Sequence, residues 1–164
     1  MTRARDNADL GDSYGTLRSG VVFPAGHVLQ VVYGICETEM IRTIVDPIDL
    51  GLSAAITPTS SSNHILCIWV IQTELTGATG YSVKLLRDDG AGYDEIFASA
   101  SGYDVYKGTG GDNFRLHNTW THKDTPAVTT ACTYKIEVTN YNTTAVHYQD
   151  ADNRSSLILM EIVA

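Results

Sequence analysis

Ile65-Leu-Cys-Ile-Trp-Val-Ile71 is an unbroken apolar run, bounded by Ser60-Ser-Ser-Asn63 before it and Gly77-Ala-Thr-Gly80 shortly after. The run is short for a globular helix and rich in β-branched and aromatic residues, so it reads as a strand covered on both faces. Leu157-Ile-Leu-Met-Glu-Ile-Val163 repeats the pattern at the end of the sequence. Around these two, apolar and polar residues alternate. Tyr81, Val83 and Leu85 are interleaved with Ser82 and Lys84, and Tyr134, Ile136 and Val138 with Lys135 and Glu137. Phe114, Leu116 and Trp120 likewise oppose Arg115, His117 and Thr119. That period of two is the signature of half-buried strands. His27-Val-Leu-Gln-Val-Val-Tyr33 and Leu52-Ser-Ala-Ala-Ile-Thr-Pro58 add two more, while Tyr93-Asp-Glu-Ile-Phe-Ala-Ser-Ala100 has an ambiguous period compatible with a helical turn or two. About eight to ten strands with turn signals at sandwich spacing predict an all-β, antiparallel β-sandwich.

Composition agrees. The 164 residues suit one domain, and 44 of them are Thr, Val or Ile, against 4 Lys and 4 Pro. Such a balance favours strands over helices. No apolar run approaches the roughly 18 residues of a membrane span, so no membrane insertion is expected. The net charge of -8 argues against nucleic acid as a partner, because phosphate contacts need a clustered positive face. The opening residues lack the apolar core of a secretory signal, so nothing there marks export. Cys36, Cys67 and Cys132 lie in apolar or threonine-rich stretches with no pairing motif and read as reduced, buried thiols.

The motifs of chemistry are sparse. There is no Gly-x-Ser-x-Gly, His-Glu-x-x-His, Cys-x-x-Cys or phosphate-cradling glycine loop. His117 and His122 are five apart and fall on opposite faces of an extended strand. Asp150-Ala-Asp152 could offer two oxygens to a cation but lacks the glycine and glutamate of a calcium loop, so a solvated turn is the plainer reading. Asp88, Asp89, Asp94 and Glu95 cluster around Gly90 and Gly92, as acids of a polar hairpin loop do. We therefore expect no catalytic residues, no metal and no cofactor. The loop containing Tyr103, Tyr106 and Lys107 joins aromatic side chains to glycine flexibility, as adaptable binding loops do, which makes it a candidate receptor contact.

Residues 1-20 stand apart. Arg3, Arg5 and Arg18 alternate with Asp6, Asp9 and Asp12 and almost no large apolar side chains, a composition that cannot build a core. This divides the chain into an extended arm, 1-20, and a β-sandwich domain, 21-164. We expect the arm to attach to another protein through Arg3, Arg5, Asp6, Asp9 and Arg18. The two-faced apolar strands point to self-association, with a trimer as the expected closed arrangement and Trp69, Ile71, Ile158, Met160 and Ile162 at the contact. Burying about 600 Å² of apolar surface per subunit would contribute on the order of 15 kcal/mol before association entropy.

Several pieces, in this order and spacing, carry a resemblance. They are His27-Val-Leu-Gln-Val-Val32, Leu50-Gly-Leu-Ser53, Ile56-Thr-Pro-Thr-Ser-Ser-Ser-Asn-His-Ile-Leu66, Asp124-Thr-Pro126, Thr133-Tyr-Lys-Ile136 and Ile158-Leu-Met-Glu-Ile162, with the opening Met1-Thr-Arg-Ala-Arg-Asp6. Together they resemble tailed-bacteriophage virion structural proteins from marine and environmental phages, of the tail-fibre-like type. His64 departs from the lysine expected there. The resemblance implies a jelly-roll sandwich located in the virion and assembled in the host cytoplasm, with no catalytic residues to carry over. Its partners would be copies of itself, and the major capsid protein or a tail or fibre component. The polar arm and the absence of any shaft sequence favour a capsid decoration (cement) protein. The alternative is a tail- or head-fibre tip that contacts a host surface glycan.

Overall fold

The computed structural model describes residues 22-99 and 104-164. Its strands are β1 (Val28–Cys36), β2 (Met40–Arg42), β3 (Ile48–Ile56), β4 (His64–Leu75), β5 (Thr79–Asp88) and β6 (Tyr93–Ala98). They continue as β7 (Val105–Lys107), β8 (Phe114–Asp124), β9 (Cys132–Asn140), β10 (Val146–Tyr148) and β11 (Ser155–Ile162). All pairings are antiparallel. The ambiguous segment after Tyr93 is β6, because Lys84 to Asp88 of β5 offer it a free edge to pair with.

Two sheets form. In the first, β4 is central, with β8 along one edge. Its other edge is shared end to end by β11 and β10, which in turn carry β1 and β2. In the second, the order is β3-β9-β5, and the far edge of β5 is shared by β6 and β7. If the eight longer strands are counted in chain order, the sheets read 1-8-3-6 and 2-7-4-5. This is a jelly roll, in which each sheet draws strands from both halves of the chain so that the core forms only when the whole chain has folded.

The core lies between the sheets and is set by residue parity. Along β3 and β9 the even positions, Leu52, Ile56, Tyr134 and Ile136 among them, are buried and the odd ones are not. Along β4 and β11 the odd positions turn inward. Trp69 lies in the middle, parallel to Trp120 at 6.2 Å and edge-on to Phe97 at 5.3 Å. Cys36, Cys67 and Cys132 are free thiols, all buried. Burial pushes the Cys67 thiol well above its ordinary range, and the charge of Asp124 adds to the effect.

Two buried carboxylates are well matched. Asp124 accepts from Arg87 Nη1 at 2.9 Å, from the Tyr134 hydroxyl at 2.7 Å and from the Thr125 amide at 2.8 Å, tying β8 of one sheet to β5 and β9 of the other. Glu161 is fully buried, with no cation paired to it among the described residues. It accepts from Gln30 Nε2 at 2.6 Å, Asn63 Nδ2 at 2.7 Å, and Thr59 N and Oγ1 at 2.7 and 2.8 Å. Burial alone would raise its pKa, yet these donors outweigh it and hold the carboxyl below the usual glutamate range.

Candidate assembly surface

The outer faces of the two sheets differ in kind. On the second sheet, Lys135 of β9 neighbours Ser53 of β3 and Leu86 of β5, while Glu137 neighbours Asp49 and Lys84. Lys84–Glu95 at 2.6 Å, Lys135–Glu137 at 3.2 Å and Lys135–Asp49 at 3.3 Å lace this face with ion pairs. It is an ordinary solvated surface.

The first sheet presents rows of apolar side chains instead. Val31 of β1 pairs with Met160 of β11, which pairs with Leu66 of β4; the next row is Tyr33, Ile158 and Ile68. A third row runs Ile35, Ser156, Val70. Val31, Tyr33 and Ile35 are 57%, 53% and 43% exposed, and the β4 and β11 members are half-buried. Past β4 the rows end in polar residues of β8, namely Lys123, Thr121 and Thr119. The patch is therefore bounded on one side and spans three strands, an arrangement that marks an interaction site more often than a free surface.

This corrects one expectation. Trp69 and Ile71 do not lie on the sheet's outer face. They share the inward parity of β4 with Ile65 and Cys67, and both have zero exposure in the single chain. Ile158, Met160 and Ile162 do lie on the outer face. The face also includes Leu66, Ile68, Val70 and the β1 residues, which the run 65-71 could not assign because every position in it is apolar.

Arg3, Arg5, Asp6, Asp9 and Arg18 lie outside the described residues, as does Tyr103. Tyr106, 46% exposed on β7, meets Tyr141 edge-on at 5.5 Å, and Lys107 donates to the Gly110 carbonyl at 3.2 Å. Both belong to the second sheet's edge, away from the apolar rows. The acids around Gly90 are held in a turn: Asp88 accepts from the Gly90 and Gly92 amides, Asp89 pairs with Arg87 and Glu95 with Lys84.

At the far end of the first sheet the row Ile41, His147, Glu74, Arg115 crosses β2, β10, β4 and β8. Glu74 is held below the usual carboxylate range: burial would raise it, but hydrogen bonds from Asp150, Asn113 and Arg115 outweigh that. Asp150 is pushed up, first by its hydrogen bond to Glu74 and then by burial. A cleft of about 730 Å³ lined by Glu74, Gly111, Asp112, Asn113 and Arg115 opens beside this row.

No protein-family model and no curated protein matches the chain. Among solved structures it is similar to the VP2 subviral particle of infectious bursal disease virus, with a TM-score of 0.46 and 14% identity over 82% of this chain and 38% of that one. The chain thus spans less than half the length of the VP2 chains it matches. It is also similar to Eiger TNF from S. frugiperda, with a TM-score of 0.40 and 9% identity over 84% of this chain and 96% of that one. A third is TmCBM61, solved with β-1,4-galactotriose, at a TM-score of 0.38 and 10% identity over 77% and 86% of the two chains. Each is a likeness of two packed β-sheets and carries no function across.

Proposed function

We propose that the chain is a structural protein of a tailed-phage virion, a decoration subunit that associates with copies of itself through the outer face of its first sheet and attaches to the shell through residues 1-20. The observation that carries the assembly role is the asymmetry of the two faces. One is charged and ion-paired, while the other displays apolar rows across β1, β11 and β4 that a solitary sandwich would fill with polar side chains. The phage setting rests on the sequence resemblance described above. The reading involves no catalytic step, and its partners are a second and third copy of the chain and the major capsid protein.

A fibre-tip role is the second reading. It is favoured by the exposed Tyr106 and its neighbour Tyr141 at the edge of the second sheet, since aromatic side chains of this kind suit contact with a host surface glycan.

Copy number decides between them. Purified particles of the encoding phage, resolved by gel with band quantitation, should contain hundreds of copies of a decoration protein and a few to dozens of a fibre protein. Absence from the particle would overturn both.

A further inference from the structure

The chain order that makes the jelly roll also brings Glu39 against two residues more than a hundred positions later in the sequence. Glu39 precedes β2, His147 is the middle residue of β10 and Asp150 follows β10 in the turn toward β11. His147 Nδ1 lies 3.7 Å from Glu39 Oε1 and 3.9 Å from Asp150 Oδ1, and the three ligand atoms fall within 4.8 Å of one another. These separations exceed hydrogen-bond reach. Nδ1 itself is buried and has no hydrogen-bond partner among the described residues, although it is aimed at two carboxylates.

We infer that Glu39, His147 and Asp150 form a binding site for one divalent zinc-class cation. Ligand atoms around tetrahedral zinc are separated by about 3.3 Å, given metal–ligand distances of about 2.0–2.1 Å, so each carboxylate needs to close on His147 by about half an ångström, and the two carboxylates on each other by no more than about 1.5 Å, a shift that an exposed Glu39 side chain can make by rotation. One imidazole nitrogen with two carboxylates suits zinc, whereas calcium and magnesium prefer oxygen alone. Ligation through Nδ1 uses the neutral ring with its proton on Nε2.

The surroundings are those of a supported site. Asp150 is held from outside by Arg115, whose Nη2 is 2.8 Å from its other oxygen, and its amide donates to Gln72 Oε1 at 2.8 Å. Such outer contacts orient metal ligands. Gln149, Ala151 and Asp152 all adopt left-handed φ, between 52° and 61°, and in doing so turn Asp150 back toward β10. Three acids, Glu39, Asp150 and the adjoining Glu74, stand around the one guanidinium of Arg115, a setting whose charge suits a further cation. Water would take the fourth position. β2 and β10 have three residues each, so the ion would pin the least extensively paired corner of the first sheet.

The test uses the full chain, stripped with EDTA and dialysed, then titrated with zinc chloride by calorimetry and melted with and without zinc. One zinc per chain should bind and raise the melting temperature by a few degrees, with calcium and magnesium chloride giving no shift. His147→Ala should lower zinc affinity at least tenfold. Should that variant not fold, Glu39→Gln carries the test, since Glu39 is exposed and its change leaves the core intact. Absence of stoichiometric zinc binding, equal binding in the folded variants, or calcium binding as tightly as zinc would each overturn the assignment. None of these outcomes depends on the protein's place in a virion.

Discussion

Asp124 is 7% exposed between the sheets, and Arg87 reaches it from the opposite sheet with one nitrogen on both carboxylate oxygens. Its Tyr134 partner is pushed far above the ordinary tyrosine range, by burial first and by Asp124 second. Asp124→Ala would leave the buried Tyr134 hydroxyl without its acceptor and the Arg87 guanidinium with Asp89 alone, which should cost about 2–3 kcal/mol in urea unfolding. A loss below about 1 kcal/mol would show that water replaces the carboxylate. Glu161 offers a pH test. Its folded pKa is depressed, so its contribution is complete above the ordinary glutamate value and disappears as pH falls through the folded one. In that window the unfolded chain binds the extra proton. The stability advantage of wild type over Glu161→Gln should therefore be largest near neutrality and shrink below about pH 4.5. A difference that is flat from pH 7 to 3 would contradict the assignment.

At the scale of elements, two strands of different sheets come into close contact where β1 crosses β3. A Cβ added at Gly34 would lie 2.2 Å from the Ser53 carbonyl oxygen, which is backbone and cannot rotate aside. Gly34→Ala should destabilise by about 1–3 kcal/mol, the usual cost of overpacking. Gly108→Ala is the control: nothing lies within 4 Å of its added carbon, and its melting temperature should be unchanged or slightly raised. Equal effects would mean that β1 and β3 slide apart at little cost. β4 is the element on which the first sheet depends, because it pairs with each of β8, β10 and β11. Its outward residues also form one edge of the apolar rows. Ile68→Lys with Ile158→Lys places two charges at the centre of that face without touching the core. Light scattering should show the wild-type chain as an oligomer and this variant as a folded monomer. A monomeric wild type at micromolar concentration would remove the assembly role.

The whole molecule carries the remaining prediction, which concerns the division into arm and sandwich. Fully extended, 20 residues span about 65 Å, enough to cross a neighbouring subunit. Residues 2-19 hold few large apolar side chains, so if they form an arm, their deletion should leave the melting temperature unchanged while incorporation into particles falls sharply. Arg3→Ala with Arg5→Ala should give a milder, salt-sensitive loss, as exposed charge-assisted contacts do. Normal incorporation of the truncated chain would exclude the arm as the anchor, and failure to fold would make it part of the domain.

Period-two alternation and β-branched composition determined by themselves that this is a sandwich of antiparallel strands, because strand geometry puts every second side chain on one face regardless of partners. The buried thiols were legible for the same local reason. Parity inside an all-apolar strand was not. Ile65 to Ile71 is equally apolar on both sides, and only the second sheet packing against the odd positions sent Trp69 and Ile71 inward and left Leu66, Ile68 and Val70 facing out. Nor could spacing have joined Glu39 to His147 and Asp150. Those residues meet because β10 pairs with β2, a contact across about a hundred residues that exists only once the jelly roll has closed.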